Sequence, residues 1–233
     1  MTDRPMTARH GKPGFQIVDR RPPSAPEAIR TLAGLPVANI GDAMGRCNIM
    51  DPAIKPLDPA TKIAGHAVTV SVRNGDNLMV HAAIMVAEPG DVIVIDGQGD
   101  VSFGIIGDLI VRAAHKKGIA GVVVDGACRD AEDIRRCGFP MFPRGVNPRG
   151  GTRSGPGEIN MPVACGGLVV HPGDVIVGDG DGVAVVPGDR AAEIAAAAKA
   201  KADQEKNRMA EIDAGGLYPG WLEGALREKG LLP

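Results

Sequence analysis

Residues 91–126 carry two near-continuous apolar runs, DVIVIDG and GVVVDG, with the amphipathic segment DLIVRAAHKKG between them. An apolar run without polar alternation suits a strand buried on both faces, and a helix set between two such strands is the unit that builds a parallel sheet. The spacing predicts a strand at 91–97, a helix opened at Asp108 and closed at Gly118, and a second buried strand from Gly121. The fold class therefore reads as α/β. Glycine supplies 33 of the 233 residues, twice the usual ~7%, and 19 prolines accompany it, so the connections must be tight.

Around this unit, AVTVSVR alternates as a strand, NLMVHAAIMVA reads as a helix capped by Asp76 or Asn77, and AEDIRRCG as a short helix. Two short helical patterns, APEAIRTLAG and VANIGDAMGR, come before, and β-rich segments run on to VAVVP at 183–187. One internal repeat stands out: PGDVIVIDG from Pro89 and PGDVIVGDG from Pro172, each a Pro-Gly-Asp turn feeding a Val/Ile strand. An Ala-rich helix from about Asp189 to Ala214 would span ~39 Å, enough to reach a neighbouring subunit. Residues 1–24, polar and proline-rich, read as an N-terminal arm and 25–214 as the domain. Residues 215–233, with the only Trp and Tyr, read as a tail that packs as a clasp or serves an interface.

Several function classes drop out. The formal charge is −2 and no basic stripe interleaved with aromatics is present, which argues against a nucleic-acid partner. No apolar run approaches the ~18 residues of a membrane span, and MTDRPMTARHGKPG lacks the apolar centre of a signal peptide, so the expected location is cytoplasmic. Four cysteines without a CxxC pair signal neither zinc nor a disulfide framework. GQGD at 97–100 has no third glycine in dinucleotide register, and there is no GxxxxGK[ST] or GxSxG. A Schiff-base mechanism needs a desolvated lysine; Lys116, Lys117, Lys199, Lys201 and Lys206 sit on helix ends or exposed faces, and Lys62 alone stays open.

The densest polar cluster on an apolar background is GDLIVRAAHKKGIAGVVVDGACRDAED, residues 107–133. It sets Asp108 at one helix start and Arg129-Asp130 at the next, both at carboxyl ends of strands, where such sheets hold ligands. The amides of Leu109 and Ile110 could hold a carboxylate at a helix N-terminus, Arg129 could grip the same anion bidentately, and Asp130 is a hard oxygen ligand for a divalent cation. Helix capping alone would also account for Asp108, and for Asp130 with Asp133 three residues on. Asn77 and His81 share a helix face as two ligands or two substrate contacts, or His81 is simply a buried, hydrogen-bonded residue. Asp42 and Glu205 read, on spacing alone, as a satisfied polar residue and a solvated helix residue.

GDNLMVHAA, the 107–133 segment, GFPMFPRG and HPGDVIVGDGDGVAVVP together resemble the RraA-like family, over about residues 35–213. The resemblance is closest to its class II pyruvate aldolases, which act on 4-hydroxy-4-methyl-2-oxoglutarate and 4-carboxy-4-hydroxy-2-oxoadipate. It implies a β/β/α swivelling-domain fold with a long C-terminal helix, in homotrimers or hexamers with active sites between subunits. It implies that Asp130 binds Mg²⁺ or Mn²⁺, partly through waters, and that Arg129 holds the keto oxygen and carboxylate of a 2-oxo acid substrate. Asp108 would orient a water, and the Leu109 and Ile110 amides would receive the pyruvyl carboxylate. Asp42 would stand at an acidic position of the family, and Glu205 would complete the site from the adjacent subunit; Asn77, read from its helix face alone, is the remaining expected substrate contact. The expected chemistry is retro-aldol cleavage, with oxaloacetate decarboxylation as a second activity. Some family members instead bind and inhibit an endoribonuclease; these tend to stop short of a long final helix, so Glu205 and its helix favour the enzyme. The methyltransferase label attached to the family finds no S-adenosylmethionine loop here.

Overall fold

The computed structural model describes residues 9–19 and 25–232. The chain opens with a hairpin of β1 (Arg9–Lys12) and β2 (Phe15–Val18), passes through α1 (Pro26–Ala33) and α2 (Val37–Ala43), and enters the long strand β3 (Ile63–Val72). There follow α3 (Leu78–Val86), β4 (Val92–Asp96), β5 (Gly104–Ile106), α4 (Asp108–Lys117), β6 (Gly121–Cys128), α5 (Ala131–Arg136) and β7 (Met141–Val146). Three short strands, β8 (Gly157–Ile159), β9 (Val163–Cys165) and β10 (Leu168–Val170), precede the hairpin of β11 (Val175–Asp179) and β12 (Gly182–Val186). The chain closes with α6 (Ala191–Asp213) and α7 (Leu222–Glu228).

The expected strand–helix–strand unit forms the centre. β3, β4, β6 and β7 run parallel in that spatial order, and β5 continues the β4 edge of β6, pairing Ile106 with Cys128. One face, with Val70, Ile93, Ile95 and Val124, is covered by α3, α4 and α5. The opposite face, with Val94, Val123 and Phe142, is covered by the β9–β10 hairpin and the segment around Met50 and Ile54. Burial on both sides is why these strands read as unbroken apolar runs. A third cluster packs α1, α2 and the first part of α6 on β11 and β12.

Both copies of the repeat pair with β3, on its two edges: β4 runs parallel to it and β11 antiparallel. Each Pro-Gly-Asp aspartate accepts a backbone N–H three residues earlier, Asp91 from Glu88 and Asp174 from His171, both at 2.8 Å. On the second face, the Asp125 carboxylate accepts from Arg144 Nε and from Gly166 N–H at 2.7 Å, which fastens the β9–β10 turn to the sheet.

The structure differs from the expectations at the two ends. Within the expected arm, residues 9–18 form a hairpin whose second strand pairs in parallel with β8, Phe15 opposite Gly157, because the alternation of FQIV buries Gln16 and Val18. The rest of that arm, 1–8 and 20–24, lies outside the described residues. The last helix starts at Ala191 and has 23 residues, since Gly188–Arg190 after Pro187 takes a 3₁₀ turn. Its last buried residue is Ala198; of the 34 residues from Lys199 to Leu232 none is buried and 27 are exposed, Tyr218 and Trp221 among them. The tail does not clasp its own chain.

Candidate functional site

The pairing of Ile106 with Cys128 sets two strand-to-helix junctions side by side. At the first, β5 passes through Gly107 into α4; at the second, β6 passes through Arg129 and Asp130 into α5, and the Arg129 N–H donates to the Ile106 carbonyl at 2.9 Å. Asp130 adopts the left-handed conformation (φ 57°), which aspartate tolerates better than most residues. That twist turns its carboxylate away from its own helix and across to the neighbour: Oδ2 accepts the Asp108 N–H at 3.2 Å and lies 3.4 Å from Arg129 Nε.

The capping readings of both aspartates are thereby overturned. Neither aspartate caps its own helix: Gly107 and Asp130, the residues that open α4 and α5, make no side-chain cap bond, and Asp130 serves the first N–H of α4 instead. Asp108, the first residue of α4, accepts instead from Arg112 Nε at 2.7 Å through Oδ2, while its Oδ1 is buried without a hydrogen-bond partner. Of the two amides expected to hold a carboxylate, that of Ile110 donates to the Gly107 carbonyl at 3.1 Å. The Leu109 N–H is the first-turn donor that the helix start leaves over.

Three glycines shape the slot for the guanidinium. A Cβ on Gly107 would lie 2.5 Å from Asp130 Oδ2 and 3.0 Å from Arg129 Nε, one on Gly150 2.7 Å from Arg129 Nη1, and one on Gly104 2.8 Å from Arg129 Cβ. The Gly150 wall belongs to a loop held by Asp76. This buried carboxylate accepts from Thr152 Oγ1 at 2.6 Å, Ser154 N–H at 2.7 Å and Leu78 N–H at 2.9 Å, so Asp76 does the capping of α3. Burial alone would raise the Asp76 carboxyl, but these bonds outweigh it and hold it at about 2. Asn77 donates through Nδ2 to the Ile105 carbonyl at 3.1 Å, and its Oδ1, like Asp108 Oδ1, is buried and unpartnered. Buried acceptors without donors call for an explanation, and a bound group or water supplies one.

A second group gathers on α2 and α6. Asn39 Nδ2 donates to Glu205 Oε2 at 2.7 Å, and Lys201 Nζ stands 3.6 Å from Asp42 and 3.9 Å from Glu205. Asp42, Ala43, Gly45, Arg46 and Lys201 line a cleft of about 280 Å³. Asp42 and Glu205 are therefore neighbours, as neither residue's local sequence foretold. Among the described residues no hydrogen bond or ion pair links this group to Arg129 and Asp130 in one chain.

Among the described residues no three His, Cys, Asp or Glu side chains converge as a ready-made cation cage. The Asp130 carboxylate is 40% exposed, with one oxygen shared with an amide and the other directed to neither cap nor bridge. Magnesium commonly binds through one or two carboxylates with waters and substrate oxygens filling the rest, so the residues present fit such an ion. The sequence reading named Asp76 as a cap but missed its hold on the Gly150 loop, and it missed Gly104, Gly150, Arg112 and the bridging of Asp42 and Glu205 by Asn39 and Lys201. Only GDN before a helix and the glycine pair in PRGGT offered a local signal for any of them.

Residues 37–185 match the family model RraA-like, described as Aldolase/RraA. A curated protein of Halalkalibacterium halodurans, named "Putative 4-hydroxy-4-methyl-2-oxoglutarate aldolase", is 43% identical over 180 residues, covering 77% of this chain and 86% of that protein. An uncharacterized protein from Pseudomonas syringae pv. tomato superposes with a TM-score of 0.76 at 29% identity, over 83% of this chain and 91% of its own. RraAS2 of Streptomyces coelicolor, described as an unusual member of the RNase ES inhibitor RraA protein family, superposes at 0.73 with 32% identity, over 82% of this chain and all of its own.

Proposed function

This chain belongs to the RraA-like family, and we propose that within it the protein is a divalent-metal-dependent pyruvate aldolase. Its substrate is a 4-hydroxy-2-oxo dicarboxylic or tricarboxylic acid, cleaved to pyruvate and a second 2-oxo acid. The observation that carries this reading is the junction itself: a guanidinium and a carboxylate held together in a glycine-walled slot beside a helix N-terminus, with neither aspartate capping its own helix.

Asp130 would hold Mg²⁺ or Mn²⁺. When bound, the ion supplies Lewis acidity toward the 2-oxo group. The Leu109 N–H, at the positive end of α4, receives the pyruvyl carboxylate, and Arg129 grips the keto oxygen. Cleavage breaks the C3–C4 bond, leaves its electron pair on the pyruvyl fragment as an enolate, and turns C4 into a carbonyl. Arg129 stabilises that developing charge where it forms. The C4 hydroxyl proton leaves to a water held by Asp108, Asp42 or Glu205, and the enolate takes a proton back at C3 to give pyruvate. Oxaloacetate decarboxylation passes through the same enolate and is the expected side activity.

Asp42 and Glu205 reach the site from a neighbouring copy in a homotrimer or hexamer. Supporting this are their separation from Arg129 within one chain and the 34 unburied residues of α6 and the tail, comparable in number to one side of a standard interface of roughly 20–30 residues. No described helix is long and apolar enough to cross a membrane, and we assign the protein to the cytoplasm. The likeness to an RNase-inhibitor relative supports a second reading, a non-catalytic regulator of an endoribonuclease.

Pyruvate release from 4-hydroxy-4-methyl-2-oxoglutarate, 4-carboxy-4-hydroxy-2-oxoadipate and oxaloacetate with Mg²⁺, repeated after chelation and with Arg129→Ala, tests the aldolase. A rate that both changes abolish supports it. A rate indifferent to both overturns it, and endoribonuclease inhibition undiminished by Arg129→Ala would then favour the regulator.

A further inference from the structure

We infer that Arg112 is a positioning residue: it fixes the Asp108 carboxylate so that one oxygen is committed to the guanidinium and the other is left without a protein donor. The inference rests on the aldolase reading above and adds a residue to it.

Asp108 opens α4, where an aspartate ordinarily leans on the first-turn N–H groups. Here it leans the other way. Its Oδ2 takes Arg112 Nε at 2.7 Å one helical turn on, the spacing at which an acid and a following base meet on a helix surface. The two partners sit in unequal surroundings: the Arg112 side chain is 57% exposed and that of Asp108 20%. The carboxylate's two oxygens are unequal as well, Oδ2 held by the guanidinium and Oδ1 buried with no donor. An aspartate bonded at one oxygen cannot turn freely about its last torsion, so Arg112 decides which oxygen is committed to it and which is left without a donor. The backbone of the same residue is tied across the site, its N–H on Asp130 Oδ2, so Asp108 is fixed at both ends. The Asp108 carboxylate, through its hydrogen bond and its charge, raises the already high pKa of the guanidinium, with lesser contributions from Cys137, just past α5, and Asp133. An ordinary surface ion pair would leave both carboxylate oxygens wet and interchangeable.

The test compares Arg112→Met and Arg112→Lys, alone and in an Asp108→Asn background. It reads kcat and KM for aldol cleavage, the dissociation constant of oxalate as a mimic of the enolate, and the melting temperature. Arg112→Met is expected to lower kcat by about 10- to 100-fold, the usual loss when a supporting partner is removed, with KM and oxalate affinity within about twofold and little change in melting temperature. Arg112→Lys should restore part of the loss. In the Asp108→Asn background the Arg112→Met change should fall below about twofold, because the residue then has nothing to position. A wild-type kcat in Arg112→Met overturns the inference. So does an equal loss in both backgrounds, oxalate affinity falling in step with kcat, or a crystal structure of Arg112→Met with the Asp108 carboxylate unturned. Wild-type protein inactive on every aldol of the panel overturns the functional reading itself, and this inference with it.

Discussion

Two Asp–Arg pairs gather along and just past strand β6, and they have opposite characters. Asp125 is buried, with one oxygen on Arg144, the other on the Gly166 N–H, and Arg144 shared further with Asp51 at 3.4 Å. Asp130 and Arg129, just past the strand, are each 40% exposed, sit between glycines, and have unpartnered oxygens of Asn77 and Asp108 nearby in the fold. The same two residue types thus build a fastener where every hydrogen bond is made and a candidate site where some are left open. Completeness of hydrogen bonding, not residue type, separates the two.

That contrast can be broken by mutation. Asp125→Ala strands the Arg144 guanidinium and should cost about 3–5 kcal/mol in urea unfolding. Arg129→Ala should leave unfolding nearly unchanged while lowering kcat/KM by about 100- to 1000-fold in a pyruvate-release assay. Equal stability losses at the two positions would erase the distinction. Gly107→Ala sharpens it: the added Cβ meets side-chain atoms of Asp130 and Arg129 that can shift, so stability should fall by under about 1 kcal/mol. The displaced carboxylate and guanidinium should nevertheless lower kcat by about tenfold.

Acid probes the fastened class at Asp76. Its folded pKa of about 2 lies below the ordinary 3.8, so its stabilisation is present above pH 4 and is lost as pH falls toward 2. Asp76→Asn should flatten that part of the stability profile, measured by denaturant unfolding at stepped pH, by roughly 2 kcal/mol.

The central sheet was legible because burial on both faces prints directly as Val/Ile runs. The β1–β2 hairpin was not: RHGK is fully exposed, and the pairing that orders FQIV is with Gly157–Ile159, some 140 residues away in sequence. In the site, Arg129 and Asp130 stood out from GACRDAED, yet their local sequence favoured caps. What defeats capping is the side-by-side pairing of β5 with β6 and the left-handed turn at Asp130, neither of which a linear pattern encodes. Glu205 meets Asn39 across 166 positions and is joined to Asp42 through Lys201, contacts that only the packing of α2 on α6 creates.

The Pro-Gly-Asp repeat sets its turn and strand by the same local bonds at both places, yet β4 and β11 lie against β3 in opposite orientations. The polarity of a strand in this protein is therefore carried by what delivers it, a crossover helix in one case and a short return in the other. Nine nearly identical residues obey either instruction.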